Sequence, residues 1–184
     1  MDRKRELLDQ LRSYVPADVT ESRHRESLVA LVAGQGEPFS RGEFEPGHVT
    51  ASCFIIDGRG SHLLLHHHKR LGRWLQMGGH VDDGETVLQA ALREGAEESG
   101  LPDLTLLATR FIDLDVHPIP AGRGEPPHRH FDVRYVARTL EPESMHIDPE
   151  ESSDLAWVDL RRAAEMMNEA GSARVLRKIE RLYA

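Results

Sequence analysis

Apolar positions recur along this chain at two different periods, and the switches between them mark its elements. Leu7, Leu8, Leu11, Tyr14 and Val15 fall at helical spacing over residues 3–15, and Pro16 stops the run. A second helix is expected from Asp18 or Thr20, with Asp18 and Glu21 spaced as a capping box; it buries Leu28, Leu31 and Val32 and ends at Gly34. Residues 1–34 read as a helical extension, suited to covering the main domain or to a homodimer contact. The stretch 48–57, HVTASCFIID, is β-branched and apolar and predicts a strand. Asp57-Gly58-Arg59-Gly60 then turns the chain back into a second strand over 61–68. A loop through Gly72, Trp74 and Gly78-Gly79 leads to a helix over 84–99, ended by Gly100 and Pro102.

Strands are expected at 104–117, 129–139 and 155–158, and helices at 160–169 and 172–183. The segment 118–127, PIPAGRGEPP, holds four prolines and two glycines and predicts irregular backbone. A long irregular loop inside a compact domain is a candidate lid. Strands alternating with helices predict an α/β fold, a mixed sheet covered by helices on both faces.

Composition narrows the options. The 184 residues suffice for one core, with 39% hydrophobic and 29% charged residues. Lys and Arg total 23 against 31 Asp and Glu, a net charge of −8. That balance disfavours long nucleic acid, which needs a basic footprint. It also means that a phosphate-handling site needs divalent cations or a local basic patch. The single cysteine, Cys53, excludes an intrachain disulfide or a Cys-based zinc site, and its place in a core strand predicts an inert thiol. The opening Met1-Asp2-Arg3-Lys4-Arg5-Glu6 lacks the apolar stretch of a signal peptide, and no apolar run is long enough for a membrane span. A cytoplasmic location, without membrane partners, is expected.

The chemistry concentrates in 78–101, GGHVDDGETVLQAALREGAEESGL. On a helical wheel Leu88, Ala91, Leu92, Gly95, Ala96 and Ser99 share one face, and Glu94, Glu97 and Glu98 share the opposite one. A glutamate-rich face is most often plain solvated surface. Here, however, the helix follows a Gly-Gly turn that lets backbone approach a ligand, and it has a start signal in Asp82 and Glu85. Like-charge pairs at this spacing cost a few tenths of a kcal/mol, which a divalent cation reverses; all-oxygen ligands suit Mg²⁺ or Mn²⁺.

This segment resembles the signature of the Nudix hydrolases, G-x5-E-x7-R-E-U-x-E-E-x-G-U, with U a bulky apolar residue. Gly79, Glu85, Arg93, Glu94, Glu97, Glu98 and Gly100 occupy the seven fixed positions, and Leu101 the last apolar one. At about 7% frequency per residue type, seven matches arise by chance on the order of 10⁻⁸ times per start position. Gly95 departs from the pattern, which predicts closer helix–sheet packing at a cost of about 1 kcal/mol in helix propensity.

The resemblance implies an α/β/α sandwich over 35–184 and a metal-dependent hydrolase cleaving the diphosphate linkage of a small nucleotide by water attack on phosphorus. A nucleoside diphosphate sugar or an ADP-ribose-like compound is the favoured class. It further implies two to three Mg²⁺ or Mn²⁺ ions held by Glu94, Glu97, Glu98 and a carbonyl of Gly78 or Gly79. Glu85 and Arg93 would brace loop against helix. The general base is a box glutamate or one of Glu125, Glu150 and Glu151. Two other readings stay open: a non-catalytic nucleotide sensor, and an isopentenyl diphosphate isomerase of the same fold, which calls for a catalytic cysteine.

Other signals are weaker. Strand periodicity puts His66 and His68 on one face, a transition-metal pair without an evident third ligand. His128, His130, Asp132 and Arg134 share a strand face opposite Phe131, Val133 and Tyr135. That polar face is a candidate for substrate or an accessory metal. Lys69, Arg70 and Arg73 form the nearest basic cluster for phosphates, and Trp74 either stacks on a base or packs.

Overall fold

The strand β1, Gly47–Ile56, is buried along its whole length, as its run of apolar and β-branched residues requires. It forms the middle of an eight-stranded sheet in a computed structural model that describes residues 2–122 and 124–183. The opening segment's Met1 and the 118–127 loop's Arg123 lie outside the described residues, as does Ala184.

On one side β1 pairs with β2 (His62–His68), which carries β3 (Arg73–Leu75) and β8 (Ser152–Asp159). On the other it runs parallel to β7 (His128–Arg138) over ten residue pairs, with His48 opposite His130 and Thr50 opposite Asp132. β7 in turn carries β5 (Thr105–Leu106) and β6 (Asp113–Ile119). The sheet splits along β1, whose middle, Thr50 to Cys53, also takes an antiparallel partner, β4 (Met77–His80).

Two apolar cores lie on opposite faces. One joins Val49, Ala51 and Cys53 to α3 (Val87–Ser99) and to the N-terminal helices α1 (Arg3–Ser13) and α2 (Val19–Ala33). The other joins Phe54, Ile56, Leu63 and Leu65 to α4 (Leu160–Met167) and α5 (Ala170–Leu182). Helices thus cover both faces, the α/β/α arrangement expected.

Several local expectations differ. The 104–117 segment is broken: β5 stops after two residues and β6 begins only at Asp113. β6 reaches Ile119 through Pro118, a proline that an edge strand tolerates because its missing N–H would face away from the ladder. β3 and β4 form where a loop was expected; Met77-Gly78-Gly79-His80 has weak strand propensity, and pairing with β1 imposes the conformation. α2 has half a capping box: the Asp18 carboxylate accepts from the Glu21 N–H at 2.8 Å, while the Glu21 side chain turns to Ala17, Tyr14 and Lys178. α3 starts at Thr86, whose hydroxyl and Gln89 form the capping box, because Asp82 and Glu85 close a turn of their own. Among the described residues no helix is long and apolar enough to cross a membrane.

Candidate active site

Glycine at 78 and 79 lets β4 lie close to both neighbours, Gly78 against Ala51 and Ser52 of β1 and Gly79 against α3. A Cβ on Gly79 would lie 2.5 Å from Glu94 Oε1, so a larger residue there would push that carboxylate out of its place. The same closeness rotates the helix relative to the simple wheel. Its buried stripe is Val87, Ala90, Ala91, Gly95, Glu98 and Ser99, which takes Glu98 inside and leaves Leu88, Leu92 and Ala96 half-buried. A Cβ on Gly95 would touch Cys53 and Leu104 at 3.1 Å, so the absence of a bulky side chain is matched by a tighter helix–sheet contact.

Glu98 is 6% exposed and accepts the Gly78 N–H at 2.8 Å. Burial, with the fields of Glu94, Glu151 and Asp148, pushes its carboxyl up to about 8 against the pull of that N–H. Glu94 is also raised, chiefly by burial and against the pull of Arg93. Glu97 is more than half exposed beside them. Arg93 holds the group together: it grips Glu85 with two bonds at 2.9 and 3.1 Å, reaches Glu94 at 2.9 Å and Glu97 at 3.1 Å, and donates to the His80 carbonyl at 3.0 Å.

These carboxylates line a cleft of about 1110 Å³. Across it stand Asp148, Glu150 and Glu151 from the segment before β8, and Lys69 and Arg70 from the end of β2. Asp132 and His130 of β7 reach the same cleft. The buried Asp132 carboxylate accepts from Ser52 at 2.8 Å, Thr50 at 3.2 Å and Arg134 at 2.9 Å.

The donor set fits hard divalent cations. Glu98 is a buried carboxylate beside the half-buried Glu94; Arg93 pairs with Glu94, but among the described residues no lysine, arginine or histidine pairs with Glu98. A cation is the partner such oxygens lack.

Other sequence candidates fall elsewhere. Arg73 pairs with Glu169 at 2.5 Å, on the α4 side, and does not line the cleft. Arg134 is buried with Asp113, Asp115 and Asp132, closed to any substrate. His128 is buried behind His130 rather than at the cleft surface. Glu125 does not itself line the cleft but is tied at 3.1 Å to Arg41, which does, while Glu150 and Glu151 line it directly. Trp74 packs against His67 and the second core. His66 is buried on Ser152 at 2.7 Å and held down at about 4, mostly by burial; His66 and His68 gain no third ligand among the described residues. Cys53 is wholly buried and its thiol is pushed up to about 12 by burial, which removes the catalytic cysteine of the isomerase reading.

Sequence reasoning missed the residues that long-range pairing brings in. Thr50 and Ser52 support Asp132, and His48 and His80 join His130 through β1 and β4. The strand face of β1 was the available signal, but nothing local pairs it with β7.

The fold and this cleft define a class before any particular relative is considered: an α/β/α domain with a glutamate-bearing helix packed on a glycine strand. The NUDIX domain model matches residues 46–179, and the chain belongs to that family. It is 34% identical over 112 residues to MutT4 of Mycobacterium tuberculosis (strain CDC 1551 / Oshkosh), covering 54% of this chain. The chain spans about 44% of that relative's length. Among solved structures it is similar to a Nudix-family hydrolase from Clostridium perfringens, at 27% identity and a TM-score of 0.54, over 73% of this chain and 97% of that one. It is also similar to the Ap4A hydrolase of C. elegans, at 25% identity and a TM-score of 0.56, over 74% of this chain and 98% of that one.

Proposed function

We propose that the protein is a metal-dependent pyrophosphohydrolase that cleaves the diphosphate linkage of a small nucleotide, with a nucleoside diphosphate sugar or an ADP-ribose-like compound as the favoured class. The observation that carries this reading is Glu98: a carboxylate driven into a buried position beside Glu94, with no cationic side chain among the described residues to neutralise it. Such a position costs stability unless a ligand repays it.

Glu94, Glu97 and Glu98, with a carbonyl of Gly78 or Gly79, would hold two to three Mg²⁺ or Mn²⁺ ions. When bound, these ions neutralise phosphoryl oxygens and make water a better nucleophile near neutral pH. The chain's own residues supply the rest. Lys69 and Arg70 meet phosphate charge at the cleft edge, while Glu150 or Glu151 stands across from the box to take a proton from water. Arg93 fixes Glu94 and Glu97 so that the oxygens are presented in one geometry. The cleft leaves room for a nucleotide and a second group beyond its diphosphate. The relatives' names span Ap4A hydrolase and dihydroneopterin triphosphate pyrophosphohydrolase, so the leaving group is the specific point to test.

The experiment is a panel of nucleoside diphosphate sugars, ADP-ribose, dinucleoside polyphosphates and nucleoside triphosphates, incubated with Mg²⁺ or Mn²⁺ and scored for released monophosphate or pyrophosphate. Turnover is expected, falling by at least about 10²-fold in Glu98→Gln with its melting temperature retained. An inert wild type across the panel, or a Glu98→Gln variant as active as wild type, overturns the assignment.

A further inference from the structure

At one end of the cleft the parallel pairing of β1 with β7 sets histidines side by side. His48 lies opposite His130, and His128 stands two residues before it on the same face. The ring centroids are 5.0 Å apart for His48–His128 and for His48–His130, and 5.3 Å for His128–His130. One nitrogen from each lies within 4.8 Å of the other two. Among the described residues no other three His, Cys, Asp or Glu side chains bring donor atoms together in this way.

Two of the rings are oriented from behind. His48 Nδ1 faces the Glu43 carbonyl at 3.0 Å, and His128 Nδ1 faces the Pro126 carbonyl at 2.9 Å. A carbonyl only accepts, so each Nδ1 carries the proton and each Nε2 is left with a bare lone pair. Both Nε2 atoms are buried, and among the described residues neither has a hydrogen-bond partner. His48 is 1% exposed and His128 6%. Buried acceptors of this kind need a reason. Backbone carbonyls that fix the far nitrogen are the arrangement that surrounds metal-binding histidines.

We propose that His48, His128 and His130 form a transition-metal site, selective for Zn²⁺ or a first-row ion of like chemistry and distinct from the glutamate cluster. Nitrogen donors select such ions over Mg²⁺, which takes oxygen. Three imidazoles leave a fourth position for water or a substrate atom. His130 lines the cleft while His48 and His128 lie behind it, so that position opens toward the cleft. A tetrahedral ion with Zn–N near 2.0 Å sets its nitrogens about 3.3 Å apart, so ring rotation has to close the trio by up to about 1.5 Å. The rings of His80 and His117, 5.5 and 5.7 Å from His130, flank the trio without joining it.

The test uses the full, untagged chain, stripped with a chelator and titrated with Zn²⁺ and Co²⁺ in millimolar Mg²⁺. Metal content, calorimetry and the visible absorption of Co²⁺ are the readouts. One equivalent is expected to bind, with Co²⁺ bands of low coordination number. His128→Ala and His130→Ala should each weaken binding at least about 100-fold, and Glu98→Gln should bind as wild type does. If His128→Ala fails to fold, the half-buried His130→Ala decides. A wild type that takes up no ion under these conditions overturns the proposal. So does a His130→Ala variant of unchanged affinity, or loss of binding in Glu98→Gln, which would place the ion at the box.

Discussion

Arg134 Nε donates to the Asp132 carboxylate at 2.9 Å, and this bond joins a buried ion network to the wall of the cleft. Behind Arg134 stand Asp115 at 3.1 Å and Asp113 at 3.5 Å; Asp113 is gripped from α5 by Arg174 at 2.7 Å and Lys178 at 2.7 Å. Lys178 also meets Glu21 of α2 at 2.6 Å. The network therefore ties α2, α5 and β6 to a residue that faces the candidate substrate.

Removing one member of such a buried group leaves its partners uncompensated, at about 3–5 kcal/mol. Arg134→Met should therefore lower stability by that order in urea unfolding, although the arginine touches no substrate. A loss under about 1 kcal/mol would mean the carboxylates repack or protonate without cost.

Asp115 carries the acid response of this network. Burial raises its carboxyl, but the His117 bond and the charges of Arg134 and His24 prevail, and it sits at about 2 instead of 3.8. The folded state then binds fewer protons than the unfolded chain between those values. Asp115 thus contributes stability that is present above the unfolded value and lost as pH falls through the folded one. Asp115→Asn should be less stable than wild type near neutral pH, with the gap narrowing as pH drops to about 3. Urea midpoints across that range check it; a constant gap would show that Asp115 acts through packing alone.

The box glutamates and their brace were readable because their spacing on one helix is a local property. The two-sided sheet was readable from the alternation of periods. Burial of Glu98 was not, since it depends on β4 lying close against α3, with Gly79 beside Glu94 and the Gly78 N–H on Glu98. Periodicity put Arg134 on a polar face but could not distinguish a cleft from an ion network, because Asp113 and Arg174 arrive from other elements. His48 was invisible for the same reason: its neighbours stand about eighty residues later and meet it only through the β1–β7 register.

Gly95 gives a prediction against the family pattern. A bulky apolar residue is usual there and would gain helix propensity of up to about 1 kcal/mol. In this chain its first carbon already meets Cys53 and Leu104 at 3.1 Å. Overpacking of that kind costs about 1–3 kcal/mol, more than the propensity returns. Gly95→Leu should therefore melt below wild type, and a higher melting temperature would show that α3 can back away from the sheet.

The N-terminal helices set the last expectation. Leu7, Leu11, Leu28 and Val32 are each 3% exposed or less and belong to the same core as β1 and α3. Each such side chain contributes about 1.5–3 kcal/mol, so together they match much of a typical domain's net stability of about 5–15 kcal/mol. Truncation also strips Lys178 of Glu21 and Tyr14, leaving its ammonium to Asp113 and a backbone carbonyl. A chain starting at residue 35 should be insoluble or lack a cooperative melt by circular dichroism, even though the family match begins only at residue 46. A soluble fragment with a sharp transition would show that α1 and α2 are an appendage rather than one wall of the core.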